Sequence, residues 1–177
     1  DSLSDLLSFG VAPGILVFLW ALQPFGRIGW LAAFLYLACT ALRLARFNVQ
    51  SQVLESKDFQ GLPSPAAAAI VTGSLWIATE AGIKGSDVAW PMFALVLYSG
   101  LTMVTNVPFY SFKDVHFKQS VPFIVTVVIA LVIAIIALEP AIVLSALFVI
   151  YGISGYVIFA WRKAKGIQTS VISTSTD

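Results

Sequence analysis

Pro122–Leu138, PFIVTVVIALVIAIIAL, and Ala141–Trp161, AIVLSALFVIYGISGYVIFAW, decide the fold. Neither stretch carries a charged residue, and only Glu139 and Pro140 separate them. An α-helix needs roughly 17–25 apolar residues to cross the hydrocarbon core of a bilayer, and both stretches meet that length. Four more blocks of the same kind precede them: Leu6–Leu22, Gly29–Arg46, Pro65–Ala81 and Pro91–Val107. The expectation is an all-α, polytopic bundle of six transmembrane helices. Strands are not expected in these blocks, because they lack the alternation of a membrane barrel. An isolated strand would also leave its backbone unsatisfied in lipid.

Composition agrees. The 177 residues are 59% hydrophobic and 11% charged, with a mean hydropathy of +0.92. A soluble domain carries about 25% charged residues, so this chain has too few to coat a water-facing surface. The net charge of +1 gives no footprint for nucleic acid. Cys39 is the only cysteine and lies in an apolar run, which excludes a disulfide framework and a thiolate metal site. Position 1 is Asp rather than Met, and no signal-peptide pattern precedes the first block. The chain therefore reads as a fragment of a longer protein.

Prolines support the cuts between blocks. Pro24 and Pro140 fall in short connections, and Pro65, Pro91 and Pro122 fall in predicted first turns, where a missing N–H costs little. Pro63 and Pro108 flank helix ends. Pro13 alone lies inside a block; with Gly10 and Gly14 it predicts a kinked or opened first helix. The Ala66–Ala69 run reads as a close-packing face.

Lysine and arginine set the orientation. With the N-terminus cytoplasmic, Arg43, Arg46, Lys57, Lys113, Lys118, Arg162, Lys163 and Lys165 lie inside, and only Arg27 and Lys84 lie outside. The longer loops, Phe47–Ser64 and Pro108–Val121, then face the cytoplasm. The membrane domain is expected over residues 1–165, with a polar, disordered tail over 166–177.

Three polar groupings fall on that inner side. Asp1 and Asp5 are four apart and share a helix face. Two carboxylates about 6 Å apart repel by roughly 3 kcal/mol at an effective dielectric near 20. A divalent cation offsets that repulsion, and hard oxygens suit Mg2+ or Mn2+. Acidic residues at an exposed helix start are the alternative, and the spacing leaves both readings open. Arg43 and Arg46, followed by Asn48, end the second block. They read either as membrane anchors or as an anion site, since guanidinium forks bind phosphate or carboxylate. Gly61-Leu62-Pro63-Ser64-Pro65 returns a loop to the membrane through a tight, stiff turn. His116 reads as solvent-facing, Glu80 and Glu139 as solvated helix ends, and Trp90, Trp161 and Tyr151 as ordinary aromatic positions of a membrane protein.

Together these stretches resemble the CDP-alcohol phosphatidyltransferases, whose signature runs D-x2-D-G-x2-A-R-x8-G-x3-D-x3-D. Asp1 and Asp5 match its third and fourth aspartates, and the earlier part would lie upstream. Ser8-Phe9-Gly10-Val11-Ala12-Pro13, Arg43-Leu44-Ala45-Arg46-Phe47-Asn48, Gly61-Leu62-Pro63-Ser64-Pro65-Ala66 and Tyr110-Ser111-Phe112-Lys113 are similar to the bacterial phosphatidylserine synthase branch. The resemblance implies a fragment, inactive alone, of a bundle with two further helices upstream. It implies transfer of a phosphatidyl group from CDP-diacylglycerol to the hydroxyl of L-serine, with release of CMP, at the cytoplasmic face of a bacterial inner membrane. It also implies a divalent metal, Mg2+ or Mn2+, on Asp1 and Asp5, with Asp5 as general base, and a homodimer. Arg43, Arg46 and Asn48 are then the expected substrate contacts, and Gly10, Pro13 and Gly14 are expected to keep the first helix thin for the lipid head group. Two alternatives stand beside this reading. A phosphatidylglycerophosphate synthase would share the aspartates but not the Arg-Phe-Asn and Gly-Leu-Pro-Ser-Pro stretches. A small transporter or channel subunit would place charges near the bilayer midplane, where this chain has almost none.

Overall fold

A computed structural model describes residues 2–51, 58–105, 107–110 and 123–164. All six predicted blocks are helical. Helix α1 runs over Ser2–Phe25 and α2 over Arg27–Ser51. Helices α3 (Ser64–Glu80), α4 (Ala89–Val104), α5 (Phe123–Leu138) and α6 (Pro140–Ala164) follow. Three stretches, Ser2–Phe25, Arg27–Val49 and Pro140–Val157, are long and apolar enough to span a membrane, so this is a helical membrane protein. Pro140 is the first residue of α6 rather than part of a connection, a position where its lack of an N–H is harmless.

One feature departs from expectation. The two longer loops each contribute a three-residue strand, β1 (Asp58–Gln60) and β2 (Pro108–Tyr110), paired antiparallel with Phe59 opposite Phe109. This ribbon lies outside the apolar blocks, so the reading of those blocks as helices stands.

Contacts along the chain define an up-and-down bundle with two distinct ends. At the ribbon end, the start of α1 meets the end of α2 through Asn48 and Ser2. There also Leu62 N–H donates to the Thr102 carbonyl near the end of α4, and Thr102 shares a 2.7 Å hydrogen bond with Tyr156 of α6. At the opposite, aromatic end, Phe25 packs edge-on against Trp90 and Phe93, with ring centroids 4.8 and 5.5 Å away. Trp90 is 72% exposed there, as suits an interfacial ring. Helix α5 packs mainly on α6 and exposes apolar side chains over most of its circumference.

The interior is built from small and medium residues. Ala66, Ala67 and Ala68 are buried, which bears out the close-packing face expected of that run. Gly73 of α3 lies so close to Ser145 of α6 that a Cβ would meet the serine Oγ. Large apolar side chains such as Leu31, Phe34 and Ile133 point outward. In lipid the outward face gains nothing by being polar, and close approach through small residues drives helix association. Several helical hydroxyls are satisfied locally: Thr40, Thr72, Ser74 and Thr79 each donate to the carbonyl four residues back, whereas the buried hydroxyls of Ser99 and Ser145 have no partner among the described residues.

Helix α1 opens where its sequence predicts. Residues Leu7–Val11 form a wide, π-helical turn, and a second one covers Phe18–Leu22. Pro13 has no N–H, so the Phe9 carbonyl loses its ordinary donor four residues on. The Tyr36 hydroxyl of α2 donates to that carbonyl at 2.9 Å, and Tyr36 is 1% exposed. A proline-broken ladder is thus mended from the neighbouring helix. Tyr36→Phe should lower stability by about 1–2 kcal/mol. In a Pro13→Ala background, where residue 13 regains its N–H, the same change should cost less than half as much. Thermal melts of the four variants in detergent check this, and equal costs in both backgrounds would refute the mending role.

Candidate active site

The ribbon end gathers the polar residues that the sequence singles out. Arg43 lies two turns before the end of α2 and is only 9% exposed. Its Nη1 donates to the Oγ of Ser64, 2.8 Å away and fully buried. Its Cζ lies 5.8 Å from the centre of the Phe47 ring, one turn further along the same helix. Its Nε is buried and finds no hydrogen-bond partner among the described residues. A guanidinium offers five N–H donors, so this one keeps capacity for an anion. Such burial goes beyond what a membrane anchor at a water-facing helix end requires.

Asp5 is half-buried on the first turn of α1. Its carboxylate and the Tyr151 phenol of α6 are both near enough to interact electrostatically with Arg43. Tyr151 therefore belongs to the polar end of the bundle and is more than a routine aromatic of a membrane helix. Asp1, the other predicted metal ligand, lies outside the described residues, as do Lys57, Lys113, His116, Lys118 and Lys165. Among the described residues, no three of His, Cys, Asp and Glu come together as a metal-binding group. Asp5 supplies one hard oxygen donor, which by itself does not complete a divalent site.

The remaining predicted residues fall in two places. Arg46 is half-buried, one turn beyond Arg43. Asn48 is exposed at the rim, where its Nδ2 donates to Ser2 Oγ at 2.9 Å. Gly10, Pro13 and Gly14 are buried deeper along α1. A Cβ at Gly10 would come within 3.1 Å of Leu37 and 3.2 Å of Thr40, so α1 and α2 approach closely there. Beside this contact runs an apolar cleft of about 140 Å3, lined by Gly10, Gly14, Ile15, Trp30, Ala33 and Phe34.

The sequence marks Ser64 only as part of a stiff turn, and nothing in its spacing points to it as the partner of Arg43. Local geometry explains how it gets there. Gly61 has φ +79°, a left-handed conformation suited to glycine, and a Cβ there would run into the Met103 carbonyl. Gly61 N–H donates to the Val107 carbonyl at 2.9 Å, and Leu62 is fully buried. The loop is thereby stitched to the end of α4, and Pro63 and Pro65 bracket the first residue of α3, Ser64.

No family model matches the chain. Individual relatives do. Over 153 residues it is 31% identical to the CDP-diacylglycerol–serine O-phosphatidyltransferase of Helicobacter pylori, covering 86% of this chain and 64% of that protein. Over 159 residues it is 30% identical to the protein of the same name from Methanocaldococcus jannaschii, covering 89% of this chain and 68% of that one. A 72-residue stretch is 47% identical to the archaetidylserine synthase of Methanothermobacter thermautotrophicus, covering 41% of this chain and 30% of that protein. The chain belongs to the phosphatidylserine synthase family, and it spans less than two thirds of the length of the Helicobacter pylori relative.

Ser64→Ala would leave Arg43 Nη1 without its buried acceptor. Hydrogen bonds to charged groups are worth about 1.5–3 kcal/mol, and the melting temperature in detergent should fall accordingly. Ser64→Thr, which keeps the hydroxyl, should melt within a degree or two of the parent.

Proposed function

We propose that this chain forms the membrane core of an enzyme that transfers a phosphatidyl group from CDP-diacylglycerol to the hydroxyl of L-serine, giving phosphatidylserine and CMP. The observation that carries the reading is the likeness, over 86–89% of the chain, to proteins bearing that activity in their names. The geometry supports it: a carboxylate lies within electrostatic reach of a buried guanidinium at one end of a membrane bundle. One substrate is a lipid and the other is water-soluble, so a site at the lipid–water boundary admits both.

The chemistry assigns a task to each group. The serine Oγ attacks the phosphorus that bears diacylglycerol, a P–O bond forms, and the P–O bond to CMP breaks. Asp5 accepts the proton that the hydroxyl loses. Arg43 and Arg46 hold an anion, either a substrate phosphate or the serine carboxylate, with Asn48 at the rim. Guanidinium forks suit both anions, and in a site sheltered from water they stabilise charge that develops on the leaving group. Gly10, Pro13 and Gly14 keep α1 thin below the site for the lipid head group. A divalent cation, Mg2+ or Mn2+, would neutralise the diphosphate; Asp1 and Asp5 are the candidate ligands here, and further donors would be required.

The lysine and arginine distribution supports a cytoplasmic ribbon end, and a bacterial inner membrane as the location. A homodimer is part of the same proposal by resemblance to the family.

Membranes carrying this chain within its full-length protein should incorporate labelled L-serine, but not glycerol 3-phosphate, into lipid with stoichiometric CMP release. Incorporation of glycerol 3-phosphate instead would replace the serine assignment. Asp5→Asn should lower kcat by roughly 10^2–10^4-fold, the range of a lost general base, without loss of folded protein. Arg43→Lys removes the fork but keeps the charge. It should raise KM for L-serine if the bound anion is the carboxylate, and KM for CDP-diacylglycerol if it is the phosphate.

A further inference from the structure

The first turn of α1 has little to hold it. None of Ser2–Leu6 is buried, and Leu3 is 71% exposed. The wide turn at Leu7–Val11 follows this turn, and the packed part of the helix begins within it, where Gly10 and then Gly14 meet α2. A wide turn is a place where helical register is easily altered. No fully buried apolar side chain in Ser2–Leu6 therefore fixes the elevation or rotation of Asp5.

Among the described residues, a polar contact spans this gap. Asn48 Nδ2 donates to Ser2 Oγ at 2.9 Å. Ser2 and Asp5 are three residues apart and so share a face of the helix. A tether that holds Ser2 against α2 also turns Asp5 toward α2, the helix that carries Arg43 five residues before Asn48. We propose that Asn48 is a positioning residue: by holding Ser2 it sets the pitch of the first turn of α1, and with it the placement of the Asp5 carboxylate relative to Arg43. This inference rests on the proposed phosphatidyl transfer for its kinetic consequence and on the Ser2–Asn48 geometry for its structural one. It differs from a direct substrate contact by Asn48, in which Ser2 would play no part.

The two roles separate in a double-mutant cycle read in two ways. Ser2 and Asn48 are both exposed, so their alanine variants are expected to fold. Spin labels at Leu3→Cys and Val49→Cys, both exposed positions, report the distance between the first turn of α1 and the end of α2, with Cys39 replaced by alanine. Asn48→Ala and Ser2→Ala should each broaden that distance distribution. Each should also lower kcat roughly tenfold, with KM for L-serine unchanged within about twofold, the pattern of a misplaced catalytic group beside an intact binding surface. The double variant should be no worse than either single one, and Ser2→Thr should match the parent in both measurements. A Ser2→Ala variant with parental distances and kcat overturns the proposal. So does an Asn48→Ala variant that keeps kcat and raises KM for L-serine, which would make Asn48 a substrate contact. If the parent protein transfers nothing to L-serine, the functional assignment fails, and the distance distributions alone decide whether the tether exists.

Discussion

A buried arginine, Arg43, is the constraint around which the ribbon end is arranged. A buried charge is costly unless it is hydrogen-bonded and electrically balanced. Arg43 has Ser64 as acceptor, Phe47 across one side, and Asp5 and Tyr151 within electrostatic reach. Those partners come from four of the six helices. Ser64 is delivered to Arg43 only because Gly61 turns left-handed and the loop binds the end of α4. The ribbon formed by β1 and β2 ties the same two loops together just beyond. The strands that are least important for the fold class therefore help to fix the residue that matters most for the site.

The packing of the bundle follows from its solvent. Small residues let the helices approach closely inside, and many large apolar side chains are left outside, where water would not select them. Backbone groups have no water to turn to at depth, so each break in a helix must be answered by a neighbour. Pro13 breaks α1, and Tyr36 answers. This coupling ties the shape of the first helix to the second, and both carry residues of the candidate site.

Much of this is legible in the sequence. Long apolar blocks and proline placement locate all six helices, because hydrophobic length and a missing N–H are properties that need no tertiary context. The Gly10, Pro13 and Gly14 pattern foretells an opened first helix for the same reason. The second wide turn, at Phe18–Leu22, stands two residues before Pro24 as the first stands two residues before Pro13, but Pro24 reads in the sequence as part of a connection. The ribbon is too short to show an alternating pattern. Burial of Arg43 depends on where α3 begins in space, and three-residue spacing along α2 carries no information about that. Tyr151 and Asn48 are legible only by type, as an interfacial aromatic and a neutral donor; their partners, Arg43 and Ser2, lie more than a hundred and more than forty residues away in the chain.

The two wide turns of α1 also solve a problem of phase. Ser2, Gly10, Gly14, Phe18 and Leu22 all touch α2, through Asn48, Thr40, Tyr36, Trp30 and Gly29 respectively. Their positions differ by multiples of four. An α-helix advances roughly 100° per residue, so each step of four overshoots a full circle by about 40°, and over this span a regular helix would wind about 200° off its partner. A wide turn acts as one inserted residue and takes back about 100° of that drift. Two of them keep a single stripe aimed at α2 from the aromatic end to Asp5, without the supercoil that a bundle would otherwise need. The penalty is rigidity of spacing. Removing any one residue between Ser2 and Leu22 would swing everything on one side of the gap, including the carboxylate, by more than a quarter of a circle.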